Sequence, residues 1–139
     1  MKSTARFATF VVLAHPAAVF WHLVLVARIT PGLTDDQVMA ATAAITLVPT
    51  VALLLLWAHF RRLGGFLLFL PLAVGLGIGG SEHFVTPGPL NVFYVAATPW
   101  ALQFRVTAVL LLVLEVFGCW IAIQAFRGVP FSRAEPRQA

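Results

Sequence analysis

The sequence predicts an all-α membrane protein: a bundle of four antiparallel transmembrane helices with both termini cytoplasmic and a long outer loop between helices three and four. Three observations predict it. Of 139 residues, 60% are hydrophobic and 10% charged, against roughly half and a quarter in soluble domains, and the mean hydropathy is +0.94. The apolar residues fall in four runs, about 7–28, 37–60, 63–80 and 99–126, each close to the ~20 residues of helix that cross ~30 Å of hydrocarbon. The basic residues gather at the ends of those runs. Lipid offers the backbone no hydrogen-bonding partner, so such runs are helices.

Taken in order, the first run lies between Arg6 and Arg28. Lys2 and Arg6 ahead of it resemble the start of a signal peptide, but the run outlasts an h-region and three more follow it. Pro31-Gly32 breaks the chain. Thr34-Asp35-Asp36-Gln37 is a T-x-x-Q capping box for the second run, which closes at His59, Arg61 and Arg62. The turn through Leu63 and Gly64 is so short that spans two and three are antiparallel neighbours. His59, beside two arginines, reads as an interfacial residue.

The third run ends in GLGIGGSEHF. Gly75, Gly77 and Gly80 match the dinucleotide pattern G-x-G-x-x-G, which requires a preceding strand; an apolar helix precedes it here. The glycines read instead as packing residues. Gly75 and Gly79 form a GxxxG pair, and Ala73 and Gly77 a second small pair, faces for close approach or self-association. The loop 81–99 carries Pro87, Gly88 and Pro89 and the apolar patch Val92-Phe93-Tyr94-Val95. A loop of that length folds over the bundle or touches a partner. Thr98-Pro99 supplies a cap and a first-turn proline for the fourth run. Residues 1–127 thus form the transmembrane domain and 128–139 a short polar cytoplasmic tail.

The net charge is +4. In a soluble protein it would suggest nucleic acid; here most of the basic residues flank spans, which excludes that reading. Lys2, Arg6, Arg61, Arg62, Arg127, Arg133 and Arg137 fall on one side of a four-span arrangement, and Arg28 and Arg105 on the other. The positive-inside rule places both termini in the cytoplasm, as for a protein of a bacterial inner (plasma) membrane. The single cysteine, Cys119, excludes an intrachain disulfide and a C-x-x-C metal motif.

A rise of 1.5 Å per residue converts position into depth. His15 and Glu115 then lie about 5 Å and about 3 Å to the cytoplasmic side of the midplane, so they are expected to face one another. Ionisable groups this deep are functional candidates by default. His22 follows His15 by two turns on the same face. A second cluster is expected at the outer mouth, where His22, Arg28, Glu82, His83, Tyr94, Trp100 and Arg105 would meet and Glu82 would pair with Arg105 or Arg28. His22, Glu82 and His83 are the candidate metal ligands. Haem and quinone are the cofactors left open, and a haem would need His22 and a partner from another span.

No Ser-His-Asp set, G-x-S-x-G, H-E-x-x-H or phosphate loop is present. The leading expectation is a small subunit of a larger redox or respiratory membrane complex, contributing helices and part of a quinone or haem site. The alternatives are a stand-alone enzyme or binding protein for a lipid-soluble molecule, with its site at the outer mouth, and a proton-linked oligomeric transporter using His15 and Glu115.

Overall fold

The structure is a computed structural model that describes residues 2–30 and 34–128, with the side chains of Lys2, Ser3, Asp35, Gln37, Val38, Ala40, Ala41 and Ala44 outside that description. The Pro31-Gly32 break, the Gln37 arm of the capping box, Arg133, Arg137 and all but Gly128 of the 128–139 tail lie outside it too. The described residues form α-helices and a π-turn: α1 (Lys2–Ile29), α2 (Asp35–Trp57), α3 (Arg61–Gly80), the π-turn Ser81–Val85 and α4 (Ala101–Arg127). Thr4–Ile29, Arg61–Val85 and Ala101–Arg127 are long and apolar enough to cross a membrane. Within α2 only Ile45–Trp57 counts as an apolar stretch among described residues. The all-helical class therefore holds among the described residues, and three of the helices are long and apolar enough to cross a membrane.

Each boundary has a local cause. α2 ends at His59, the one described non-glycine residue with positive φ, at 70°. The amide of Phe60 then reaches back to the carbonyl of Leu55 at 2.9 Å, closing a Schellman-type cap and turning the chain within three residues into α3. α3 does not stop at the glycines. Its hydrogen bonds widen at Ser81, where Thr86 N–H bonds the Ser81 carbonyl at 2.8 Å, the i→i−5 spacing of a π-turn. α4 starts at Ala101 with Trp100 in the cap position and no side-chain cap bond; the expected Thr98 cap is not formed, and the Thr98 hydroxyl is buried without a partner. Gly128, at φ 70°, ends α4.

The helices pack in a ring: α3 on α4, α4 on α1, α1 on α2 and α2 on α3. Close approach is also set by glycines outside the expected pair. A Cβ on Gly65 would lie 2.8 Å from the Ala122 carbonyl and the Phe126 amide of α4. One on Gly64 would lie 2.9 Å from the Ala52 carbonyl of α2. Gly77 faces open space and the only neighbour within 4 Å that Gly79 would meet is His83; of the GxxxG pair, Gly75 alone meets another helix, at Glu115 of α4. Two hydrogen bonds tie helix ends together: Arg61 Nη1 to the Gly128 carbonyl at 3.5 Å, and Trp57 Nε1 to Thr9 Oγ1 at 3.1 Å.

Two apolar clusters form the interior. One joins Ala8, Val11 and Val12 to Ala52, Leu56, Leu68, Leu72, Ile121 and Ala122. The other joins Leu25 and Val26 to Val92, Val95, Ala101, Phe104 and Ala108. On α1 His15 and His22, and on α4 Glu115, fall between the two sets, while Thr107 lies within the second, between Phe104 and Ala108. Large apolar side chains such as Phe10, Leu13, Leu102 and Val113 point outward, which suits hydrocarbon and would be an aggregation surface in water.

Candidate functional site

His15, from α1, and Glu115, from α4, are both buried. His15 Nε2 lies 3.3 Å from Glu115 Oε1. Gly75 makes the space: a Cβ there would lie 2.5 Å from the same carboxylate oxygen. The role of this glycine is thus to admit a carboxyl group between α3 and α4. The other ring nitrogen, His15 Nδ1, is buried and has no hydrogen-bond partner. With Nε2–H donating to the carboxylate, Nδ1 presents a lone pair; if the carboxyl donates instead, Nδ1 carries the hydrogen.

The second pair is His22 and His83. His22 is 4% exposed. Its Nδ1 sits 2.8 Å from Thr107 Oγ1, and Thr107 Oγ1 donates to the Phe104 carbonyl at 3.0 Å. Its Nε2 sits 3.1 Å from His83 Nε2. His83 Nδ1 lies 2.9 Å from the Leu90 carbonyl, which can only accept. Phe104 stacks on the His22 ring at 5.0 Å and meets His83 edge-on at 5.5 Å. Both imidazoles therefore have one nitrogen tied to the scaffold, and their Nε2 atoms are aimed at each other.

The loop after the π-turn holds His83 in place. Val92 N–H bonds the His83 carbonyl at 2.9 Å. Asn91, 1% exposed, organises the bend: its side chain donates to the Thr86 carbonyl at 3.0 Å and accepts from Phe93 N–H at 2.9 Å. Val92 and Val95 are then buried against Leu25 and Phe104, while Phe93 and Tyr94 are exposed. A cavity of about 30 Å³ touches both pairs, lined by Gly79, Gly80, His83, Leu112 and Glu115 among others. Its volume suits about one water molecule.

The expected outer-mouth cluster does not assemble. Of its members only His22 and His83 come together. Arg28, Glu82, Tyr94, Trp100 and Arg105 are exposed, and Glu82 pairs with neither arginine; His15–Glu115 is the one ion-pair contact among the described residues. The reason is rotation about the helix axis. Arg105 follows the buried Phe104 and so turns ~100° away from it, and in the π-turn Glu82 precedes the inward-facing His83. Glu82 is accordingly no metal ligand beside His22 and His83, and no group of three or more His, Cys, Asp or Glu gathers among the described residues. His83 meets His22 by continuing α3 through the π-turn rather than by a re-entrant loop. His59 is exposed at the far end of α2.

The cavity beside His83 is about 30 Å³, room for about one water molecule and not for a haem between His22 and His83. Two larger cavities among the described residues, about 260 and 450 Å³, are lined by residues such as Phe69 and Ile123 or Arg62 and Arg127, and neither touches the two pairs.

Thr107, Phe104, the Leu90 carbonyl and Asn91 are site residues that the sequence reading did not single out. Thr107 carried a signal: it is a polar residue in an apolar run, a little over two turns before Glu115. Comparison with family models, curated proteins and solved structures finds no match to this chain.

Proposed function

We propose that this chain is a four-span membrane protein that takes up and releases protons inside the bilayer, with His15 and Glu115 as the proton-carrying pair. The observation that carries this reading is the contact itself: an imidazole and a carboxyl group, 3.3 Å apart, buried between two apolar clusters with a water-sized cavity against the carboxyl group. Apolar surroundings make either charge expensive, so such groups in a membrane helix mark ion or proton pathways. The groups facing Glu115 are His15 from α1 and, across the cavity, His83; Cys119 lies one turn on.

The four helices form an antiparallel bundle with both termini cytoplasmic and the loop 81–99 outside, in a bacterial inner membrane. The asymmetry of Lys and Arg supports this orientation, and the bonds from Arg61 to Gly128 and from Trp57 to Thr9 support the antiparallel order. The second reading is a subunit of a redox complex. Its support is the same buried His15–Glu115 contact, 3.3 Å long, which would supply protons to a redox cofactor held by a partner chain. Purification in mild detergent, with identification of co-purifying chains, separates the two.

The test of the first reading is proton flux in proteoliposomes under an imposed pH gradient. Glu115→Gln keeps the shape and removes the ionisable group, and flux is expected to fall at least tenfold. Flux that is unchanged in Glu115→Gln, or absent from the wild type, refutes the reading.

A further inference from the structure

We propose that His22 and His83 form a two-coordinate site for a soft monovalent cation of the Cu(I) class, for which Ag(I) is the probe. The site rests on where the hydrogens and lone pairs of the two rings can lie and is independent of the His15–Glu115 reading. The Leu90 carbonyl can only accept, so His83 Nδ1 carries the hydrogen in that 2.9 Å contact. Thr107 has one hydroxyl hydrogen and two acceptors within reach, the Phe104 carbonyl at 3.0 Å and His22 Nδ1 at 2.8 Å. With it directed at His22 Nδ1, His22 Nε2–H donates to His83 Nε2, an ordinary hydrogen bond at 3.1 Å. With it directed at the Phe104 carbonyl, Nδ1 carries the His22 hydrogen and two Nε2 lone pairs converge, an arrangement that a cation between them stabilises.

The surroundings resemble those of metal-bound histidine. A ligating imidazole donates its other N–H to a carbonyl or another oxygen, which fixes its tautomer and aim; here both rings have such an oxygen, one at Leu90 and one at Thr107. Coordination number then chooses the ion. No third His, Cys, Asp or Glu joins the two rings among the described residues, so tetrahedral zinc is not served. Two neutral nitrogens facing each other suit a linear d10 ion. Charge points the same way: the desolvation energy of an ion scales with the square of its charge, so a buried site without anionic ligands favours +1 over +2.

Binding requires the nitrogens to separate from 3.1 Å to ~4 Å, twice a metal–nitrogen bond. His83 stands on the π-turn Ser81–Val85, just beyond Gly79 and Gly80, which have no contact closer than 3.9 Å where a side chain would be. A rigid-body shift of that turn by about 1 Å opens the gap. The bound ion replaces no covalent bond and needs no redox partner.

The experiment titrates purified full-length protein, labelled with nitrogen-15 at histidine, with Ag(I) and reads the imidazole resonances together with bound silver after desalting. The expected result is one Ag(I) per chain, with Nε2 shifts at His22 and His83 and none at His15 or His59. Thr107→Val, which removes the acceptor for His22 Nδ1–H, is expected to weaken binding ten- to a hundredfold with the helical circular dichroism unchanged; His59→Ala is expected to bind as the wild type does. The proposal is overturned if the wild type binds no Ag(I), if the shifts fall on His15 or His59, or if a proton shared between the two Nε2 atoms persists in the presence of excess Ag(I). Because the wild-type spectrum decides, a variant that fails to fold does not rescue the idea.

Discussion

Gly75→Ala and Gly77→Ala place the same methyl group two residues apart on one helix, and the structure predicts opposite outcomes. Alanine in a helix interior is favoured over glycine by about 1 kcal/mol, and at Gly77 nothing lies within 4 Å of the new Cβ. Gly77→Ala therefore gains up to ~1 kcal/mol. At Gly75 the new Cβ lies 2.5 Å from Glu115 Oε1, where ordinary contact begins at 3.4 Å. The carboxyl group must retreat by the difference, 0.9 Å. A displacement of that size disturbs the 3.3 Å contact with His15, which is already long for a hydrogen bond. Losing a hydrogen bond to a charged group costs about 1.5–3 kcal/mol. Set against the propensity gain, Gly75→Ala is destabilising by ~0.5–2 kcal/mol. Thermal unfolding in one detergent, followed by circular dichroism, reads both variants as shifts of several degrees of opposite sign. If Gly75→Ala rises in Tm alongside Gly77→Ala, the carboxyl group does not rest on that glycine, and the account of the His15–Glu115 pair fails with it.

Other variants test the remaining joints. Gly65→Ala would push a methyl group to 2.8 Å from two backbone atoms of α4, which cannot swing aside as a side chain can; a loss of ~1–3 kcal/mol is expected, seen as a lower Tm. His59→Gly relieves a left-handed conformation at φ 70° and is expected to raise Tm through a gain of about 1 kcal/mol, without altering Ag(I) binding or proton flux. Asn91→Ala removes both side-chain bonds that shape the loop. The expectation is faster hydrogen exchange at Val92 and at the other amides of that bend, with α1 and α4 unaffected.

Much of the architecture was legible in the chain because it rests on local or solvent-level physics. Hydropathy over some twenty residues marks a helix that suits lipid whatever the packing; the turn expected through Arg61, Arg62, Leu63 and Gly64 instead falls at Ala58–Phe60, where His59 takes φ 70°, and those four residues open α3. The level of His15 with Glu115 could be estimated because helical rise is constant. Depth says nothing of azimuth, however, and azimuth separated the residues of the outer cluster. Arg105, Glu82 and Trp100 have suitable heights but turn outward, while Thr107 and Phe104 share the face of the buried histidine. Gly75 faces a neighbouring helix as its spacing suggests, but a GxxxG spacing specifies only a smooth groove, and that the Glu115 carboxyl group of α4 fills it depends on the neighbouring helix.

By itself the sequence determined the solvent, the helical class, the approximate spans and the short list of buried ionisable groups, since each follows from composition and a fixed rise per residue. Only the tertiary structure decided which of those groups touch. Contact depends on the rotation of each helix and on a π-turn that shifts the register after Gly80. Those are set by close packing at Gly64, Gly65 and Gly75 and by the folding of the loop around Asn91, interactions between residues far apart in the chain.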